Sequence, residues 1–249
     1  AATQRGETPL LAAAMNGHQN CVKKLLDHFA SPDAPNVDGH TALILASKFG
    51  HTDIVNQLLS SGADVDHQSR FGLSALHEAS SAGHLKIVEA LLKMNASVKL
   101  VENVENETAL IQAARGGHLA IIEALLARGA EVNHLAGPNT GTALMAAAAG
   151  GHAAALGPLL AAGARVNAQN RQGTTALMLA AKGSHPEAVG ALMEAGGDPA
   201  IQDVYRRSAL SLALDFKNSN SCANDEDESS FSSEIILQLL LTMDNGSVI

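Results

Sequence analysis

Six histidines recur along the chain at a nearly fixed interval: His18, His51, His84, His118, His152 and His185. A ladder of imidazoles is the first pattern that suggests chemistry, because histidine is a frequent zinc ligand. The interval argues against it. Each histidine stands 33 or 34 residues from the next. Helices of neighbouring units pack ~8–10 Å apart, whereas zinc gathers its ligand atoms within ~2.0–2.1 Å of one centre. Hydrogen bonding to loop backbone between units is the expected role. Ser74, His77 and Glu78 have the residue types of a nucleophilic triad. Three residues on one short helix do not converge on a common point as a triad must. Gly116-Gly117 and Gly150-Gly151 end helical runs rather than open them, so neither reads as a phosphate loop. No metal or cofactor is expected, and no convergent acid, base and nucleophile set supports an enzyme.

Composition narrows the classes further. Apolar residues make up 46% of the 249, but aromatics only 2%, with no Trp and one Tyr. The core must be built from Ala, Leu, Val and Ile, which suits short, closely packed helices. The formal net charge is -9. Nucleic acid is disfavoured, since neutralising phosphates takes clustered Lys and Arg, and base stacking takes aromatics. Cys21 and Cys222 lie far apart in no metal-ligand spacing. They read as reduced thiols of a cytoplasmic or nuclear protein. No secretory signal pattern opens the chain. The apolar stretch from Ile235 to Met243 is too short for a bilayer, which takes ~20 residues. No membrane insertion is expected.

The elements that position these residues follow from a second periodicity. Leu10, Leu43, Leu76, Leu110, Leu144, Leu177 and Leu210 recur every 33 or 34 residues. A Thr or Ser stands two positions before each, and an Ala three positions after. A period of this length means stacked units, each too small to bury its own apolar face. Thr41 is placed to cap a short helix from Ala42 to Lys48. Gly50-His51 breaks that run. Ile54, Val55, Leu58 and Leu59 then share one face of a second helix. Gly62 ends it in the left-handed position, and Ala63-Asp64-Val65-Asp66 leads to a turn at Gly72. Each unit is therefore helix, tight turn, antiparallel helix and projecting finger.

Gly39-His40-Thr41-Ala42-Leu43, Gly50-His51, Leu58-Leu59 and Gly62-Ala63-Asp64-Val65 resemble the ankyrin repeat, and the resemblance covers almost the whole chain. It implies an all-α ankyrin-repeat solenoid with hairpin-like fingers. It also implies a non-catalytic module that binds other proteins or peptides. One domain, 1–249, is expected, with repeats at about 3–36, 37–69, 70–103, 104–137, 138–170, 171–203 and 204–249. An acidic, serine-rich insert at about 218–232 splits the last repeat and reads as a mobile loop. Its apolar last helix and the abrupt start at Thr8 lead us to expect a piece of a longer polypeptide.

Several residues break the pattern. Asn106 and Asn95 replace glycines and tolerate the left-handed backbone. Phe29 does not, so its loop is expected to deviate. Pro158, after Gly157, falls inside a second helix and marks the weakest unit and a bend. Pro186 sits at a first helical turn, where it is tolerated.

Combined with the spacing, the ankyrin resemblance puts the first-helix ends and finger tips on a concave face. Met15, Lys48, Phe49, Arg115, Lys182 and Phe216 belong to the helix ends, and Phe71, Leu73, Tyr205 and Arg207 to the fingers. These are the expected partner contacts, for an extended or acidic segment on a lightly basic groove floored by small residues. The alternative is a structural spacer or regulatory array within a larger enzyme or receptor. Asn133 and Asn167 resemble ankyrin asparagines that an asparaginyl hydroxylase modifies. Ser247-Val248-Ile249 resembles a C-terminal ligand of PDZ domains.

Overall fold

The computed structural model describes residues 6–137, 140–220, 235–237 and 239, with side chains from Phe216 to Asn220 left aside. Residues 221–232 of the acidic insert and Ser247-Val248-Ile249 lie outside the described residues, whereas residues 218–220 are helical. Two compact units are present, Ala1–Glu131 and Val132–Ile249.

The first unit contains four helical hairpins: α1 Pro9–Met15 with α2 Gln19–Asp27, α3 Ala42–Lys48 with α4 Thr52–Ser60, α5 Ala75–Ala82 with α6 Leu85–Lys93, and α7 Ala109–Arg115 with α8 Leu119–Ala127. The second contains α9 Ala143–Ala149 with α10 Ala153–Ala161, α11 Ala176–Lys182 with α12 Pro186–Glu194, and α13 Ala209–Asn220. Within each unit, first helices pack on first helices and second on second. The described residues form no strands, only an isolated bridge between Val101 and Thr108. None of their helices is long and apolar enough to cross a membrane.

The recurring Thr starts each first helix. Thr8, Thr41, Thr108, Thr142 and Thr175 accept from the backbone N–H three residues on, as Thr41 does from Ile44 at 3.4 Å. This answers one of the donors a helix start leaves open. The recurring Leu and Ala fill the layer between hairpins: Leu43, Leu76 and Leu110 are at most 1% exposed, with Ala46, Ala79 and Ala113 fully buried. Ile235 and Leu239 are also buried, whereas Leu237 between them is exposed.

One expectation about the breaks needs correcting. The Phe29 loop does not deviate. Phe29 takes φ 60, and the N–H groups of Phe29 and Ala30 reach the carbonyls of Leu26 and Leu25 at 3.0 Å each. Gly62 and Ala63 make the same two bonds to Leu59 and Leu58. Answering the open helix carbonyls outweighs the side-chain crowding, because the Phe29 ring stands 96% exposed and meets nothing. Pro158 lies inside its helix, as the sequence placed it. α10 spans nine residues, the same as α8. The carbonyl that loses its donor belongs to Ala154, on the exposed side of the helix, where solvent reaches it. Asn95 and Asn106 adopt positive φ as expected, and so do Ser184 and Arg206, which the pattern did not single out.

Both departures carry a cost that substitution should remove. Phe29→Gly should raise stability by about 1 kcal/mol, since a left-handed backbone penalises a side chain. Open space surrounds Gly157, and the position equivalent to Pro158 is Ala90, Ala124 or Ala191 in other units. Gly157→Ala should add about 1 kcal/mol and Pro158→Ala up to about 3 kcal/mol. Denaturant melts of the three variants check both statements.

Candidate functional site

The histidine ladder organises the face on which the helix ends lie. A first helix leaves its last carbonyls without intrahelical donors. The histidine of the following hairpin supplies one. The Nε2–H of His51 donates to the carbonyl of Met15 at 3.1 Å, and that of His84 to Lys48 at 3.2 Å. His118 donates to Ser81 and His185 to Ala149, both at 3.2 Å. Gly17, Gly50, Gly83 and Gly151, each standing before a histidine, make room for the next ring, whereas Ser184 precedes His185. Gly50 has φ 79, and a Cβ there would lie 2.7 Å from Cε1 of His84. Among the described residues, no group of three or more His, Cys, Asp or Glu is placed to hold a metal ion.

The fingers are built by a set of acceptors that the sequence reading passed over. Asn36, Ser69, Glu102, Asn170 and Asp203 stand at one position of successive repeats, and each accepts from backbone N–H groups of its own turn. The 33- or 34-residue spacing of these short polar residues was the available signal; Ala136 interrupts it. Neighbouring fingers then join, as Arg70 N–H donates to the Asp38 carbonyl at 2.9 Å and Asn103 N–H to Phe71 at 2.8 Å.

Five of the expected contact residues enter ion pairs or ring contacts within the chain. Lys48 Nζ lies 3.4 Å from Glu78 Oε1 on the next first helix. Arg115 pairs with Glu107 of its own finger. Arg207 lies 2.7 Å from Asp203 and sits over the Tyr205 ring at 4.9 Å. Burial opposes the Asp203 charge, yet the backbone and side-chain hydrogen bonds from Arg207 hold its carboxyl below the usual range. Phe71 lies beside His40, with ring centroids 6.5 Å apart. Met15 and Phe49 are exposed at the ends of α1 and α3, and Lys182 at the end of α11; Leu73 is half-buried. Phe216 stands on α13 with its side chain outside the described residues. Glu78 and Gln112 stand one repeat apart on the first helices; the sequence reading weighed Glu78 only as a triad member and did not single out Gln112. Glu78 is buried beside Lys48, and Gln112 has a buried Oε1 without a hydrogen-bond partner.

Asn133 and Asn167 are loop staples. Asn133 Oδ1 accepts from Arg165 N–H at 2.9 Å, while its Nδ2 donates to the Gly163 carbonyl at 2.9 Å. Asn167 does the same with Asp198 and Gly196. Ser74 does not act as a nucleophile in this arrangement: it is 0% exposed and caps α5.

A sequence model of ankyrin repeats matches the chain in three copies, over residues 1–69, 54–136 and 144–224. Among solved structures, the ankyrin repeat domain of human ASB11 superposes with a TM-score of 0.79 at 26% identity, over 93% of this chain and 97% of that one. No curated protein gives a match.

If the ladder holds the hairpins together, His84→Ala should cost about 0.5–1.5 kcal/mol, the net worth of an exposed hydrogen bond. Urea titrations of the variant against the parent check this.

Proposed function

Because the chain belongs to the ankyrin repeat family, whose members serve in general as protein-binding modules, we propose that it is a non-catalytic module. It takes an extended segment or a partner domain on its first-helix ends and finger tips. The observation that carries this reading is where the aromatics stand. Phe29, Phe49, Phe71 and Tyr205 are all exposed, at 96%, 48%, 46% and 68%. The core is aliphatic throughout. A chain with so few aromatic side chains places none of the described ones where they would stabilise it most. Aromatic anchors are the usual source of interface energy, and Phe49 and Phe71 lie between Lys48 and Glu78 in sequence, at a first-helix end and a finger tip.

The cations of this face are compensated within the chain. Lys48 and Arg115 each have a carboxylate partner, so an acidic segment competes with Glu78 and Glu107 for them. Lys182 has no ion pair among the described residues. The proposed partner is therefore anchored by apolar groups first and oriented by charge second.

For a partner recovered by pull-down with this chain, Phe49→Ala with Phe71→Ala should weaken binding by roughly tenfold or more. Glu89→Ala and Lys93→Ala, exposed on α6, should leave it unchanged. Calorimetry measures both; equal affinity for the parent and the Phe49/Phe71 variant would overturn the reading.

A further inference from the structure

The third repeat differs from the others at one buried position. Three residues after the cap stand Leu11, Ile44, Ile111, Met145 and Met178 in five other repeats and the small, half-buried Ser211 in the seventh, but His77 here. Its side chain is 1% exposed. Nδ1 lies 3.3 Å from the backbone nitrogen of Ser74 and 2.9 Å from Ser74 Oγ. Nε2 lies 3.3 Å from the carbonyl oxygen of Glu107, in the fourth finger. A backbone N–H only donates, so Nδ1 must accept; a carbonyl only accepts, so Nε2 must carry the proton. The neighbours thus select the neutral ring with hydrogen on Nε2.

A proton on Nδ1 would set that N–H against the N–H of Ser74. It would also place a charge where no solvent reaches. The charged groups around the ring do not remove this conflict. From the fourth finger, the Glu102 carboxylate favours the protonated ring, but it is itself held by the N–H groups of Val104, Glu105 and Glu107. Glu107 directs its carboxylate to Arg115 of α7. On His77's own helix, Glu78 is paired with Lys48 of α3. Burial prevails over the carbonyl bonds and Glu102, and holds His77 below the ordinary histidine value.

We propose that His77 is an acid-sensitive latch: the buried site does not accommodate a proton on Nδ1, so the protonated ring leaves it, which opens the cap of α5 and breaks the Nε2–H bond to the Glu107 carbonyl, releasing the fourth finger and with it the Glu107–Arg115 pair on the proposed partner face. The consequence for binding rests on the function proposed above; the latch itself does not. The sign follows from proton uptake. The unfolded chain carries an ordinary histidine near ~6.5, and the folded chain binds that proton only at lower pH. Between the two values the unfolded state holds more protons, so stability rises with pH. The contribution of His77 is in place above ~6.5 and is lost as pH falls through the folded value.

The test is a nitrogen-15 NMR titration of the intact chain from neutral pH into acid, with urea melts at each pH. His77 should show the neutral Nε2–H pattern at neutral pH, and the amide signals of residues 102–107 should move together with its titration. His77→Ile, the residue of the second and fourth repeats, should fold, and the movement of those amides should vanish. The parent should show an additional pH dependence of its unfolding constant, up to about tenfold per pH unit in the window between the two values, which the variant lacks. The latch is overturned if His77 titrates like an exposed histidine, or if the variant keeps the same finger response. Loss of partner binding by Phe49→Ala and Phe71→Ala is scored separately, so a failed binding face leaves the latch result intact.

Discussion

The structure depends on how a seven-residue helix ends. So short a helix has more open carbonyls than internal hydrogen bonds, and it has little stability of its own. Here the end of each first helix in the described ladder is closed by the next hairpin, whose imidazole donates to a last-turn carbonyl. The preceding glycine is required twice over. Its positive φ turns the chain into the second helix, and its missing side chain leaves the space the next ring occupies. One dipeptide therefore makes a turn inside its own repeat and a bond to the repeat before it.

Closing helix ends in this way sets the composition of the core. First helices that approach closely leave room for Ala and Leu, which fill the layers around Leu43, Leu76 and Leu110. Phenylalanine would not fit without separating the hairpins, since overpacking a dense core forces strain into it. The described aromatics stand outside, where they add nothing to packing and expose apolar area. That arrangement makes sense if the exposed rings are to be covered by something else. Phe29 is the extreme case, an exposed ring on a left-handed backbone. It lies at the end of a second helix, away from the face assigned to the partner.

The repeat, its caps and its turns were legible in the sequence because each is written several times. Thr41 and its equivalents, the Gly-His pairs and the asparagines at left-handed positions all behave as their spacing implied. The error came where one residue was judged by itself. Phe29 looks incompatible with its site, but the helix-end hydrogen bonds hold the common shape. Arg206 was missed for the opposite reason: nothing about arginine announces a left-handed turn, and only alignment with Gly39 and Gly72 reveals it. The ion pairs of the partner face were also illegible. Glu78 and Glu107 are 30 and eight residues from Lys48 and Arg115, and only the stacking of helices and the fold of the finger decide that they meet.

Those ion pairs change what the face can discriminate. An unpaired Lys or Arg rewards any nearby carboxylate, and the reward fades with salt. Arg115 is different, because its partner Glu107 is almost buried. Drawing Arg115 away leaves a carboxylate in a poorly solvated place, which costs more than breaking an exposed pair. A ligand acid therefore gains little unless it also satisfies Glu107. Charge on this face works mainly to reject, and attraction must come from the groups with no partner inside the chain. Phe49 is such a group, and its neighbour Lys48 is already held by Glu78. The scaffold thus separates two tasks that a flat charged surface would merge: cations and carboxylates keep the hairpins in register, while the few aromatic rings remain free to be buried by a second molecule.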